Sequence, residues 1–218
     1  MIKRKNILKI AIDSPAAAGA GTLAKAISKY YNLFYLDTGK IYRFIAYLKI
    51  KYPKKFNNKF IKSKIKLLKI KDLSNNNLLS DEVGTEASII SKIKSIRKMV
   101  HSFQVNFAYN PPKKYKGSCL DGRDITYNII PDADFKFYIT ANVKTRALRR
   151  YRELKGLKKK ITYPEVLKSI KKRDKSDFSR KISPLKKTKD SLLINTTNLN
   201  KRSCFLKIKK IIDRKINN

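Results

Sequence analysis

The residue types in this chain that could do chemistry are mostly arginines, aspartates and runs of small residues. The segment 13-DSPAAAGAGT-22 places Ser14, Pro15, Ala16, Ala17, Ala18, Gly19, Ala20, Gly21 and Thr22 in one short stretch. Small residues let successive backbone N–H groups point at one anion, and a helix beginning at Thr22 would add its positive end. The usual phosphate-loop pattern has glycine at the first position and lysine before a final Ser/Thr. Here those positions hold Ser14 and Ala20, so taken alone the segment reads equally well as a small-residue turn. Thr38 and Arg43 lie five apart, and a hydroxyl and a guanidinium there could hold a phosphate by charge-assisted hydrogen bonds. A solvated helix charge is the plain alternative for Arg43. Asp124 follows Arg123 in 121-DGRDITYNIIPDAD-134. A carboxylate near a pyrimidine can accept from the amino group of cytosine, although Asp124 also suits a turn. Arg173, Asp177 and Arg180 recur at i, i+4 and i+7 and would share one helical face. The same spacing also suits an ordinary surface pair worth a few tenths of a kcal/mol.

These residues need elements to carry them. Leu8–Ile12 is a short apolar run ending at Asp13, and Leu23, Ala26, Ile27 and Tyr30 continue as a helix after the small loop. Phe34–Leu36 reads as a second strand ending at 37-DTG-39, followed by a helix that Pro53 terminates. Residues 53–83 alternate loosely between lysine and apolar residues and predict a small β-rich insert. A long amphipathic helix is expected over about 85–107, with Ile89, Ile93, Ile96, Val100, Phe103 and Phe107 on one face. Ser88 and Arg97 would sit on it roughly two and a half turns apart, on similar faces. Ser118–Leu120, Phe135–Ile139 and Ser191–Ile194 supply three more strands. Helices are expected from Val143 to about Lys155, from Pro164 to about Asp174, and from Lys201. Short strands alternating with helices predict an α/β fold, a parallel sheet covered on both faces. Such sheets bind ligands in the loops at the carboxyl ends of their strands, where these motifs lie.

At 218 residues the chain suits one domain. The charge is the outlier: Lys+Arg 53 against Asp+Glu 16, formally +37. A nucleic-acid binder is one reading. The lysines are spread over the whole chain, however, beside frequent Ile, Asn, Phe and Tyr, whose codons are A/T-rich. That favours a compositional origin, and no specific nucleic-acid partner is expected. Tyr and Phe mostly follow core spacing and form no exposed stacking run. No apolar run approaches the roughly 18 residues of a membrane span, and no signal peptide is read at the N-terminus. Cys119 and Cys204 are the only cysteines and lie in no metal motif, so no metal ligands are assigned. A reduced, cytoplasmic setting is the simplest expectation. His101, the only histidine, has no acid or nucleophile pattern beside it and reads as structural.

The order of motifs is more specific than any one of them. DSPAAAGAGT, then 36-LDTGKIYR-43, 82-EVGTEAS-88, 121-DGRDITYNIIPDAD-134 and 173-RDKSDFSRKISPL-185 together resemble the cytidylate kinases, from about Ile10 to the last strand near Thr197. The resemblance implies a three-layer P-loop NTPase-type fold with a five-stranded parallel sheet. It implies a core of 1–52, 84–155 and 163–218, a nucleoside-monophosphate-binding insert at about 53–83, and a short lid at about 155–163. ATP would be held by residues 14–22. CMP or dCMP would be held by Thr38, Arg43, Ser88, Arg97, Arg123, Asp124, Arg173, Asp177 and Arg180. In that set Ser88, Arg97 and Asp124 read the base, Arg123 and Arg180 contact phosphate, and Arg173 and Asp177 hold the ribose. Arg123, Arg149, Arg150 and Arg180 are the expected catalytic cations. Mg²⁺ would accompany ATP, and a monomer is expected.

Where the family has its phosphate-loop lysine, this chain has Ala20. Three outcomes are open. Another cation substitutes (Lys25, Lys40, Arg149 or Arg150), the enzyme is slow, or the chain binds nucleotides without turnover. A basic nucleic-acid-binding protein on a kinase-like fold is a further alternative. Within the enzyme class, so is a UMP-preferring or shikimate-type kinase, the latter opposed by DGRD and RD-x-x-D-x-x-R.

Overall fold

The apolar run that opens the chain becomes the central strand β1, Leu8–Asp13, and everything else is arranged around it. The computed structural model describes residues 7–157 and 160–216. Five parallel strands form one sheet: β1, β2 (Leu33–Asp37), β3 (Gly117–Gly122), β4 (Phe135–Thr140) and β5 (Leu192–Asn195), in the order β2-β3-β1-β4-β5. Ile10 pairs with Cys119 on one side of β1, and with Phe135 on the other. The five-stranded parallel sheet expected from the motif order is what forms.

Alternate residues of β1 feed two cores. Ile10 and Ile12 pack with Phe137 and Ile139 under α1 (Ala20–Tyr30) and α8 (Lys201–Ile216). Ala11, Phe34, Leu36 and Leu120 face the opposite layer of α2 (Gly39–Lys51) and α5 (Lys94–Tyr109). A smaller cluster joins α6 (Val143–Gly156) to α7 (Tyr163–Ser179) through Ala147, Leu154, Val166 and Ile170. Helices thus cover both faces, as a sheet whose strands are apolar on both sides requires.

Two expectations about elements are corrected. The insert is helical: α3 spans Asn58–Leu67 and is followed by 3₁₀ turns at Ile70–Ser74 and Asn76–Leu79. Asn57 caps α3 by accepting from the Phe60 N–H. Ile61, Ile65 and Leu68 are buried at i, i+4 and i+7, a helical period that the intervening lysines obscure. The long helix is two. α4 (Asp81–Ile90) stops in a turn at Ser91–Ile93, and α5 starts at Lys94. Ile89 and Ile93, assigned to the core face, are exposed at that break. The expected start of the core at residue 84 therefore falls inside α4.

α7 runs further than expected, past Arg173 and Asp177, and Arg180 is its extended C-cap. The expected lid lies between α6 and α7, and its residues 158–159 are outside the described residues. Among the described residues no helix is long and apolar enough to cross a membrane.

Candidate active site

The loop between β1 and α1 crosses the carboxyl edge of the sheet. Ala17 (φ 58) and Gly19 (φ 88) are both left-handed there, and such reversals turn neighbouring N–H groups to one side. Gly19 adopts that conformation without strain; Ala17 is held in it by neighbours. The Ala16 carbonyl accepts from Arg146 Nη1 at 3.0 Å and the Ala18 carbonyl from Thr196 Oγ1 at 3.2 Å. With carbonyls drawn into the protein, the amides are free to face an anion. Arg146 is fixed in turn by Asp174, at 3.0 and 2.6 Å, and by the Ala141 carbonyl at 2.9 Å.

Arg149, one of the expected catalytic cations, donates to Thr196 Oγ1 at 2.9 Å and to the Thr196 carbonyl at 2.6 Å, which ties α6 to the segment after β5. Carbonyl acceptors on that segment outcompete an open position for its planar fork. Arg150 bridges to Asp81 at the start of α4, at 3.4 Å, and to Glu153. Arg152 lies on the exposed side of α6.

On the acceptor side, Thr38 donates to the Asp121 carbonyl at 2.8 Å. Arg43 donates to the carbonyls of Leu78 and Ser80 at 2.7 and 3.2 Å. Its guanidinium lies over Gly84, where an added Cβ would come within 2.9 Å of Nη2, so the glycine of the EVGTEAS motif makes room for it. Asp177 gathers three arginines: Arg123 Nε at 2.7 Å, Arg180 Nη1 at 3.7 Å and Arg173 Nε at 4.0 Å. Burial alone would raise the Asp177 carboxyl, but Arg123 and Arg173 more than offset it and hold it below its ordinary value. Arg173 is lowered to about 10 by burial and by the nearby Arg123. Among the described residues, Arg173 Nε and Arg180 Nη2 are buried without a hydrogen-bond partner. Buried donors of this kind normally have partners.

Beside this cluster Arg97 forms a buried ion pair with Asp124 and stacks over the Tyr42 ring at 5.5 Å. Asn128 Nδ2 donates to Asp124 at 2.8 Å, and His101 Nε2 lies 3.2 Å from the Asn128 carbonyl. Ser88 and Arg97 share no helix. Across the α4–α5 break Arg97 Nη1 donates to the Ser91 carbonyl at 3.1 Å, and the Ser91 hydroxyl donates to the Ser88 carbonyl at 3.0 Å.

Sequence reasoning did not assign Asp37 and Asp121, which end β2 and β3. An added Cβ on Gly21 would lie 3.4 Å from Asp121 Oδ2, so this carboxyl abuts the small loop. Burial, then the Asp37 charge, push Asp121 up to about 8, while Tyr35 donates to it at 2.9 Å. Lys25 stands 6.0 Å from the Tyr35 ring and its charge is felt at Asp121. Their position at strand ends was the available signal.

The sequence pattern of the cytidylate kinase family matches residues 10–214. Similar curated proteins include cytidylate kinases from Bartonella tribocorum, 43% identical with 90% of each chain covered, and from Clostridium tetani, 38% identical with 95% of this chain and 94% of that one covered. The cytidylate kinase of Mesomycoplasma hyopneumoniae strain 7448 is 36% identical over 96% of this chain and 95% of its own. Among solved structures, an uncharacterised protein from Eubacterium ventriosum shares the fold, with a TM-score of 0.54 and 16% identity over 94% of this chain and 98% of that one. The match to the family pattern across nearly the whole chain, and relatives of this identity, show that the chain belongs to the cytidylate kinase family.

Proposed function

We propose that this enzyme transfers the γ-phosphate of ATP to CMP or dCMP, giving the nucleoside diphosphate and ADP. The observation that carries the reading is the arginine cluster around Asp177. Arg43, Arg123, Arg173 and Arg180 outnumber the carboxylates among them, and two of their buried N–H groups lack a hydrogen-bond partner. A dianionic acceptor phosphate and an adjoining ribose match that excess.

In this reading Arg43, Arg123 and Arg180 hold the acceptor phosphate, with Thr38 beside them. Arg173 and Asp177 hold the ribose, and Ser88, Arg97 and Asp124 read the base. Residues 14–22 cradle the donor phosphates. An acceptor oxygen bonds to the γ-phosphorus as the bond to the ADP oxygen breaks, and the electron pair leaves with ADP. CMP dianion and ATP tetraanion become two trianions, so no proton need move. The chemistry demands alignment and charge neutralisation, which arginines supply. Mg²⁺ bound with ATP would neutralise donor charge. The Thr22 hydroxyl and the Asp37 and Asp121 carboxyls are oxygen groups of the kind it takes, directly or through water. The helical insert near 53–83 is assigned to closing over the acceptor.

A second reading, catalytically weak nucleotide binding, is favoured by one residue. Ala20 is buried and carries a methyl where a cation would reach donor phosphates. A coupled assay with CMP, dCMP, UMP and AMP separates the two. ADP release with CMP supports the kinase; CMP binding without ADP release from any acceptor retires it.

A further inference from the structure

We infer that Asp13 is a positioning residue for the acceptor base, holding the Asp124 segment in register with the donor loop. It ends β1, one residue before the small loop begins, and its side chain is fully buried. Its carboxyl does not face the loop. Oδ1 accepts the Ile125 N–H at 2.8 Å, and Oδ2 accepts the Thr126 N–H at 2.9 Å and the Thr126 hydroxyl at 2.6 Å. Ile125 and Thr126 open a single helical turn, Ile125–Ile129, directly after Asp124. An anionic acceptor at the start of such a turn satisfies donors that have no partner within it. The Ser14 N–H adds a backbone bond to the Gly122 carbonyl at 3.2 Å. The strand end that launches the donor loop is thereby tied at four points to residues 122–126, which carry Arg123 and Asp124.

Asp124 is held from three directions. Arg97 and Asn128 grip its carboxylate, and Asp13 fixes the backbone immediately after it. A shift of that backbone would misplace the carboxylate against the cytosine amino group while leaving Arg43, Arg173 and Asp177 where they are. The role of Asp13 is therefore narrower than core packing: it should set base affinity and discrimination. The inference rests on Asp124 reading the base.

The test measures CMP, UMP and ATP dissociation constants for the wild type, Asp13→Asn and Thr126→Val, with melting curves confirming folded protein. Asparagine keeps the shape and one acceptor but turns an amide donor toward the Thr126 donors. Thr126→Val removes one donor and leaves the carboxylate. The expected result is CMP affinity weakened about tenfold in Asp13→Asn, as when buried donors lose their acceptor. Thr126→Val should weaken it less, the CMP-to-UMP preference should narrow in both, and ATP affinity should stay within about twofold. Unchanged CMP affinity in both folded variants, or equal losses for CMP and ATP, overturns the positioning role alone. A wild type that binds no CMP defeats the kinase reading, and this inference with it.

Discussion

Arg97 and Asp124 face each other in a buried ion pair, their side chains 8% and 6% exposed. The pair joins α5 to the segment after β3, and under the proposed function it also meets the base. Breaking one member of a buried pair strands the other charge, at a cost of about 3–5 kcal/mol. Asp124→Ala should therefore lower the melting temperature of the nucleotide-free protein markedly and also abolish CMP binding. Asp124→Asn keeps a hydrogen-bonding group at that place. It should lose less stability and should improve UMP relative to CMP, because an amide can donate to the uracil carbonyl. Melting curves and acceptor competition measure both effects.

Arg146 links Asp174 on α7 to the Ala16 carbonyl of the small loop. Arg146→Met should cost about 3 kcal/mol or more by leaving Asp174 uncompensated. In the protein that remains folded, ATP affinity should fall at least about tenfold, with CMP affinity affected less. Calorimetric titration with each nucleotide provides the comparison.

Ala20 sets up a gain-of-function experiment. If the donor phosphates lack a cation, Ala20→Lys should raise kcat by about a hundred- to a thousandfold, the scale of one donor aimed at developing charge. Little change would mean that a substitute already acts. Lys25, beside Tyr35 and Asp121, is the residue to test next. Lys25→Ala should then lower kcat more than it raises the KM for CMP.

Asp13 predicts opposite pH trends in stability and binding. Burial raises its carboxyl to about 6, with Asp124 adding to the rise and Thr126 and Ile125 opposing it. Arg123, Tyr127 and Tyr138 also feel its charge. A carboxyl raised from 3.8 binds more protons folded than unfolded between those values, so its contribution to stability is lost as pH rises through about 6. The melting temperature of the wild type relative to Asp13→Asn should therefore rise as pH falls from 7 to 5. The wild-type advantage in CMP affinity should shrink over the same range, because a protonated carboxyl is a poorer acceptor for the Thr126 donors. Taking the ratio between proteins cancels the titration of the CMP phosphate itself.

Much of this architecture is legible in the residues. The five strands announce themselves as apolar runs ending in Asp13, Asp37, Asp121 and their counterparts. The motif order identifies the family even with Ala20 in the loop. The insert is harder, because lysines between Ile61, Ile65, Leu67 and Ile70 imitate alternation, and only burial distinguishes period two from period 3.6. The break at Ser91–Ile93 was hidden by an apolar periodicity that continues through it. The fate of Arg149 could not be read at all: its acceptors on Thr196 lie 47 residues away. Asp13 shows the same gap. A strand-ending aspartate looks like punctuation until the amides of Ile125 and Thr126 arrive from 112 and 113 residues further on.

The bond from Arg146 to the Ala16 carbonyl limits how this scaffold can be recombined. The guanidinium belongs to α6, its carboxylate to α7, and its third partner to the loop after β1. A chimera that imports the α6–α7 hairpin from a relative must bring both charged members together and meet an unchanged loop backbone. Importing either helix alone, without its charged counterpart, would leave an orphaned charge under the small loop. α6, α7 and the β1–α1 segment are therefore a single transplantable unit, though more than a hundred residues of sequence separate the helices from that segment.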